Sequence, residues 1–138
     1  MFWYLKVIGD YFNFSGRARR KEYWMFAFIN LMITIVLGLA CWFIVVNFED
    51  DKLLTGFSYS VLLVYVLFTI VPSLAVTVRR LHDVNVSGWF ALVQFLPYIG
   101  WLILLFFTIK DGDYGRNRYG DDPKREKSIQ NNWIEINS

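Results

Sequence analysis

Two groups of ionisable side chains could do chemistry in this chain of 138 residues. The first is the stretch 79–83, with the sequence Arg-Arg-Leu-His-Asp, which holds the only histidine. His82 beside Asp83 could act as an acid–base pair in an enzyme that works on lipid headgroups. One histidine cannot supply the usual multi-histidine zinc site, and Cys41 is the only cysteine. We therefore expect no metal and no cofactor.

A structural role explains the same residues more simply. Asp83 lies three residues after Arg80 and four after Arg79, which is the spacing of ion pairs on a helix. The hydroxyl of Ser87, the nearest in sequence, is placed to cap the following helix. We predict that His82, Asp83 and Ser87 close the end of one helix against the start of the next, and that none of them is catalytic. A pH-sensing role for His82 stays open, because its ordinary pKa is near neutrality.

The second group is basic and precedes the first apolar run, with Arg17, Arg19 and Arg20 as its arginines. Together with Arg79 and Arg80, they would form one rim that binds anionic lipid headgroups or a phosphorylated ligand. The alternative is that these arginines only fix the orientation of the neighbouring spans. Nucleic acid is not an expected partner, because the net charge is only +2 and no base-reading element is present.

The elements that position these groups are apolar and long. The chain is 56% hydrophobic and 20% aromatic, and its apolar residues form unbroken runs. Since a membrane-spanning helix needs about 20 such residues, the pattern predicts an all-α integral membrane helical bundle in a single domain, residues 1–124. We expect an interfacial helix at 1–14, apolar segments at about 23–48, 57–78 and 88–109, and a polar tail at 125–138.

Aromatic residues indicate where the membrane boundary lies. Positions 4, 7, 8 and 11 share one face at helical spacing, which favours an amphipathic helix in the interface over a strand or coil packed on the bundle. Trp24 and Trp89 flank apolar segments and are expected to anchor their depth.

Uncharged polar residues recur within the apolar segments at helical spacing. They are Asn30, Thr34, Gly38 and Cys41, then Tyr65, Thr69, Ser73 and Thr77, then Gln94, Tyr98 and Trp101. Hydrogen bonding between helices is the expected role. The alternative is a polar path in a small transporter or channel component for a neutral solute, since these segments hold no ionisable group that would carry ions or protons. Pro72 should kink the second span and free a carbonyl for a neighbouring donor.

The third apolar segment is broken at residues 97–100 and allows two topologies. As a full crossing, it divides the Lys and Arg residues into seven on each side. As a re-entrant segment, it leaves thirteen on one side and one on the other. Basic residues favour the cytoplasm. We expect a cytoplasmic N-terminus, and a cytoplasmic C-terminus if the segment is re-entrant.

Five stretches resemble, in order, the signatures of the small bacterial inner-membrane proteins grouped as domain of unknown function 805. They are residues 14–24 (FSGRARRKEYW), 79–83 (RRLHD), 87–89 (SGW), 97–100 (PYIG) and 115–123 (GRNRYGDDP). The resemblance covers roughly residues 1–124, although Phe90 stands where members often carry a second tryptophan. It implies a multi-pass protein of the bacterial inner membrane and no established activity. Our leading hypothesis is a non-enzymatic membrane module that engages a partner protein or anionic lipid, with its oligomeric state open.

Overall fold

The computed structural model describes residues 2–48 and 50–125 and is helical throughout its regular elements. The elements are α1 (Phe2–Gly9), α2 (Arg20–Asn47), α3 (Lys52–Asp83), a 3₁₀ segment (Gly88–Phe95) and α4 (Ile99–Ile109). The predicted all-α class is confirmed for these residues. The predicted tail beyond residue 125 lies outside them.

α2 and α3 are long and apolar enough to cross a membrane. Their 28 and 32 residues correspond to about 42 and 48 Å of helix, against a hydrocarbon core of about 30 Å. Large apolar side chains point outward along both helices, including Phe28 and Leu63, each 59% exposed. Such an exterior requires a bilayer around it, because soluble monomers rarely expose apolar patches of this extent. The architecture is that of a membrane helical bundle.

Local chemistry sets both ends of α3. At its start, the Asp51 carboxylate accepts hydrogen bonds from the backbone N–H groups of Leu53 and Leu54. At its end, Asn85 adopts a left-handed conformation with φ of 59°, and the N–H of Val86 reaches back to the carbonyl of Leu81. This is a Schellman termination, in which a residue in the left-handed region lets the chain turn away and satisfies the last carbonyls.

The third apolar segment leaves one end of α3 and returns to the same end. It begins at Gly88, where a Cβ would lie 2.7 Å from Val78 and 3.0 Å from His82. It ends at Thr108, whose carbonyl accepts a hydrogen bond of 3.2 Å from Arg80. The 3₁₀ segment and α4 are each about 16 Å long, roughly half of the hydrocarbon thickness. The segment is therefore a hairpin, the shape expected if it is re-entrant, and its two arms are each shorter than one crossing.

Two residues allow the hairpin to fold back tightly. Tyr98 forms the tip with a φ of 66°, a conformation that few side-chain-bearing residues adopt. Gly100 then passes so close to Val93 that a Cβ would lie 1.8 Å from its carbonyl oxygen. The sequence Pro-Tyr-Ile-Gly thus supplies a helix break, a turn and a close approach.

α1 is shorter than the expected interfacial helix and packs on the bundle. The helix ends at Gly9, and turns cover the next residues. Val7 is fully buried against Ala18 of the α1–α2 loop, Phe26 of α2 and Val76 of α3. α1 is therefore part of the protein core on one face and exposed on the other.

Polar side chains join α2 to α3 within the apolar region. The Tyr65 hydroxyl donates to Asn30 Oδ1 over 2.6 Å, and Cys41 Sγ lies 3.6 Å from the hydroxyl of Ser58. The expected hydrogen bonding between the polar stripes is present at Asn30 and Tyr65. α3 continues as one helix through Pro72.

Candidate functional site

Asp83, in the last turn of α3, is the centre of a buried ionic cluster with Arg17 and Arg80. Arg17 Nε donates to Asp83 Oδ1 over 3.0 Å, and Arg80 Nη1 donates to Asp83 Oδ2. The three side chains are 1%, 0% and 4% exposed for Arg17, Arg80 and Asp83. This turn lies beyond the apolar part of α3. Burial raises the pKa of Asp83, and the two guanidiniums oppose this rise.

The same two arginines tie the segment after α4 to the end of α3. Arg17 donates to the carbonyls of Asp113 and Gly115, and Arg80 donates to those of Thr108 and Lys110. A guanidinium has five N–H donors in a rigid fork and can hold several carbonyls at once. The cluster therefore fastens the polar segment 110–122 onto the bundle.

A second buried cluster surrounds Glu22, at the start of α2. Lys6 of α1 donates to Glu22 Oε2 over 2.8 Å. Arg79 Nη1 lies 3.1 Å from Glu22 Oε1 and 3.0 Å from Asp10 Oδ2. Glu22 is 1% exposed. These four residues join α1, α2 and α3 at the same end of the molecule as the Asp83 cluster.

No sequence pattern predicted a role for Lys6, Asp10 or Glu22. One signal was present, because Glu22 is the only acidic residue in the basic stretch that precedes the first apolar run. A carboxylate at the edge of a membrane requires a partner. The sequence does not reveal that this partner is Arg79, which lies 57 residues away along the chain.

His82 packs between the loop before α2 and the segment after α4. Its Nδ1 lies 3.2 Å from the carbonyl oxygen of Gly16, and its ring stacks on Tyr119 with centroids 3.8 Å apart. Asn117 donates to the backbone carbonyl of His82 over 2.9 Å. Burial lowers the pKa of His82, the hydrogen bond to Gly16 opposes this, and the nearby charge of Arg118 lowers it further.

These contacts separate His82 from Asp83 chemically. The imidazole faces Gly16 and Tyr119, whereas the carboxylate is held between two guanidiniums. Within residues 2–48 and 50–125, neither side chain has a hydroxyl or thiol nucleophile among its hydrogen-bond partners. In the part of the chain that the structure describes, no group of three or more His, Cys, Asp or Glu side chains could hold a metal ion.

The expected cap by Ser87 is wrong. Ser87 occupies the N-cap position of the 3₁₀ segment, but its side chain makes no cap hydrogen bond. Its backbone carbonyl instead accepts from the N–H of Phe90 over 3.0 Å. The close approach of Gly88 to Val78 positions this turn.

The five arginines expected to form one exposed rim divide into two sets. Arg17, Arg79 and Arg80 are buried and paired with carboxylates, which corrects the expectation that they face a ligand outside the protein. Arg20 is different, because its side chain is 41% exposed and pairs with Asp111 over 2.9 Å. Arg19 is partly buried, and its Nε makes no hydrogen bond to the residues that the structure describes.

The two tryptophans predicted as anchors lie on the surface, near the charged end. Trp24 is 40% exposed in the first turns of α2. Trp89 is 79% exposed and is the second residue of the 3₁₀ segment. Their role as interfacial anchors stays a prediction.

Further basic side chains surround the clusters on the outside. The exposed ones, apart from Lys6, are Lys21, Lys110, Arg116, Arg118, Lys124 and Arg125. The exposed acidic side chains at this end, within residues 2–48 and 50–125, are Asp111 and Asp121. The outer surface at this end of the molecule is therefore net positive, whereas the buried arginines beneath it are paired with carboxylates.

The fold and these clusters define a small multi-pass membrane protein, closed at one end by buried ion pairs. The chain belongs to the family described as Protein of unknown function (DUF805), whose model matches residues 11–121.

Two inner membrane proteins from Escherichia coli strain K12 are similar to this chain over most of its length. The Inner membrane protein YhaI is 46% identical over 125 residues, which cover 90% of this chain and 97% of the relative. The Inner membrane protein YhaH is 45% identical over 130 residues, which cover 91% of this chain and 99% of the relative. No solved structure shows significant similarity to the chain.

Proposed function

We propose that this protein is a non-enzymatic module of the bacterial inner membrane that engages anionic lipid headgroups, or an acidic partner protein, through a basic rim. The outer cations Arg20, Lys21, Lys110 and Arg116 carry the rim. Arg17, Arg79 and Arg80 act beneath it, because their buried pairs hold the elements that bear those cations.

The distribution of charge at the two ends of the molecule is the observation that carries this proposal. Lys52 is the one basic residue at the α2–α3 turn, beside the exposed Asp50 and Asp51. Every other basic residue among those described lies at the end that holds the two ionic clusters. Basic residues favour the cytoplasmic side, and the cytoplasmic leaflet is anionic. Both termini would then be cytoplasmic, because the hairpin returns the chain to the side from which it starts.

A non-enzymatic role is favoured over chemistry by His82 and Asp83, because both side chains are occupied by structural contacts. Conduction of a neutral solute is also less favoured. The Asn30–Tyr65 hydrogen bond joins α2 directly to α3, so these two polar groups pair with each other and do not line an open path for a solute.

The experiment measures lipid selectivity by native mass spectrometry. The full chain is placed in nanodiscs with equal parts of phosphatidylcholine and phosphatidylglycerol, and the lipids that stay bound after release are counted. We expect phosphatidylglycerol to predominate for the natural protein. The triple variant Lys21→Gln, Lys110→Gln, Arg116→Gln should lower the ratio of bound phosphatidylglycerol to phosphatidylcholine at least about tenfold, since each surface cation is worth about 1 kcal/mol.

Lys52→Gln is the matched control, because it removes a cation from the opposite end and should leave the ratio unchanged. A ratio near one for the natural protein would refute lipid engagement. An acidic protein that co-purifies from native membranes with the natural chain and with Lys52→Gln, but not with the triple variant, would identify a protein as the occupant of the rim.

A further inference from the structure

A cavity of about 330 Å³ lies between α2, α3 and the 3₁₀ segment. Asn30 and Thr34 of α2, Ser73 and Thr77 of α3, and Gln94 of the hairpin are among its lining residues. These residues lie within the predicted apolar segments. The hairpin thus adds a third side to a gap that two helices alone would leave open.

Several polar groups in this cavity make no hydrogen bond to other described residues. The Tyr65 hydrogen bond directs Oδ1 of Asn30 toward α3, so the two N–H donors of its amide group remain. The amide of Gln94 and the hydroxyl of Ser73 likewise make no side-chain hydrogen bond to any of the residues described. Within a bilayer, each such group is costly unless a ligand or water pairs with it.

The remaining surface of the cavity is apolar and uncharged. Phe26, Leu31 and Val76 line it alongside the polar residues, and no Lys, Arg, Asp or Glu is among its described lining residues. A charged group would enter without a counter-ion and lose its hydration. A neutral molecule with oxygen acceptors and an apolar portion matches both kinds of surface.

We infer that this cavity binds the neutral, oxygen-bearing part of a membrane amphiphile, such as the glycerol-ester region of a lipid. The free amide N–H groups of Asn30 and Gln94 donate to carbonyl or hydroxyl oxygens of the ligand. The hydroxyl of Ser73 adds a donor from α3, and the side chain of Leu31, which is 53% exposed on α2, contacts the first carbons of the acyl chain. This site is independent of the basic rim, because it uses no charged side chain.

The test measures binding of tritiated 1,2-dioctanoylglycerol to the purified full chain in detergent, by scintillation proximity. We expect saturable binding near one molecule per chain. Gln94→Leu and Ser73→Ala should each weaken affinity about fivefold, the value of one neutral hydrogen bond. Ser60→Ala is the matched control, because Ser60 is exposed on α3 and bonds only to the Gly56 carbonyl of its own helix.

Competition experiments then show whether the site recognises a lipid or a free solute. Displacement of the probe by millimolar glycerol would show that the hydroxylated backbone alone is recognised, as for a free solute. Resistance to glycerol with displacement by unlabelled dioctanoylglycerol would show that a lipid is required. Ser73→Ala removes only one oxygen atom, so this variant still tests the site if Gln94→Leu fails to yield a monodisperse protein. The inference would be overturned if no saturable binding were found, or if dodecane displaced the probe as well as unlabelled dioctanoylglycerol does. It would also be overturned if Ser60→Ala weakened binding as much as Ser73→Ala.

Discussion

The hydroxyl of Tyr11 donates a hydrogen bond of 2.7 Å to the backbone carbonyl of Phe68. In an uninterrupted helix, that carbonyl would accept from the N–H four residues later, but position 72 is proline and has no N–H. The ring of Tyr11 also packs on that of Phe68, with centroids 5.1 Å apart. The N-terminal region therefore supplies the donor that Pro72 removes from α3, and this contact fastens the region to the bundle.

Tyr11→Phe tests this relationship by removing only the hydroxyl. We expect the free energy of unfolding to fall by about 1 kcal/mol, since the Phe68 carbonyl loses the hydroxyl donor that replaces the missing N–H. Reversible unfolding in mixed micelles with sodium dodecyl sulfate measures the change. Tyr59→Phe is the control, because Tyr59 is exposed on α3, the helix that Tyr11 contacts. A double-mutant cycle with Pro72→Ala should show coupling, because alanine restores the missing N–H; additivity would argue against the mechanism.

Asp83→Asn should be strongly destabilising. It removes the carboxylate that neutralises Arg17 and Arg80, and leaves two buried cations without a counter-charge. Breaking a buried ion pair in this way costs about 3 to 5 kcal/mol, which the same unfolding titration would detect. Asp121→Asn is the surface counterpart, since its pair with Arg116 spans 3.7 Å and is largely exposed, and it should change little. Equal stability of the two variants would show that the Asp83 cluster does not hold the fold.

Glycine-to-alanine substitutions should change the free energy of unfolding in opposite directions at two positions. A Cβ at Gly112 would lie 2.1 Å from Oδ2 of Asp83, so Gly112→Ala forces the segment after α4 away from the cluster. We expect a loss of about 1 to 3 kcal/mol and faster tryptic cleavage after Arg116 and Arg118. Gly56→Ala meets nothing within 4 Å in α3 and should stabilise by about 0.5 to 1 kcal/mol. A protease pattern unchanged by Gly112→Ala would contradict the proposed close approach.

The depressed pKa of His82 predicts a loss of stability in mild acid. Burial lowers this pKa in the folded state, so the unfolded chain binds a proton more readily. Stability is then full above the ordinary histidine pKa of about 6.5 and declines as the pH falls through it toward the folded value. Melting temperatures in detergent between pH 7.5 and 5 would show the decline.

His82→Gln is the reference for that measurement, because glutamine does not titrate. Its melting temperature should therefore vary less over the same pH range. Parallel curves for the two proteins would exclude His82 as the source of the pH dependence.

The sequence by itself determined the class of the protein and the two long helices. Continuous apolar runs specify a membrane environment locally, because the bilayer acts as the solvent for each residue in turn. The motif at 79–83 also carried enough information to predict the Arg80–Asp83 pair, since residues three apart on a helix are neighbours. The Pro-Tyr-Ile-Gly break showed where the third segment changes direction.

Only the tertiary structure decided which way that segment runs and which charges face inward. The hairpin depends on Gly88 and Thr108 meeting the same end of α3, and hydropathy along the chain contains no such relation. Arg17 reaches Asp83 across 66 residues, and Arg79 reaches Glu22 across 57. A basic residue next to a span has the same sequence signature whether it is buried or exposed. Its role is fixed by the carboxylates and carbonyls that folding brings within hydrogen-bond distance.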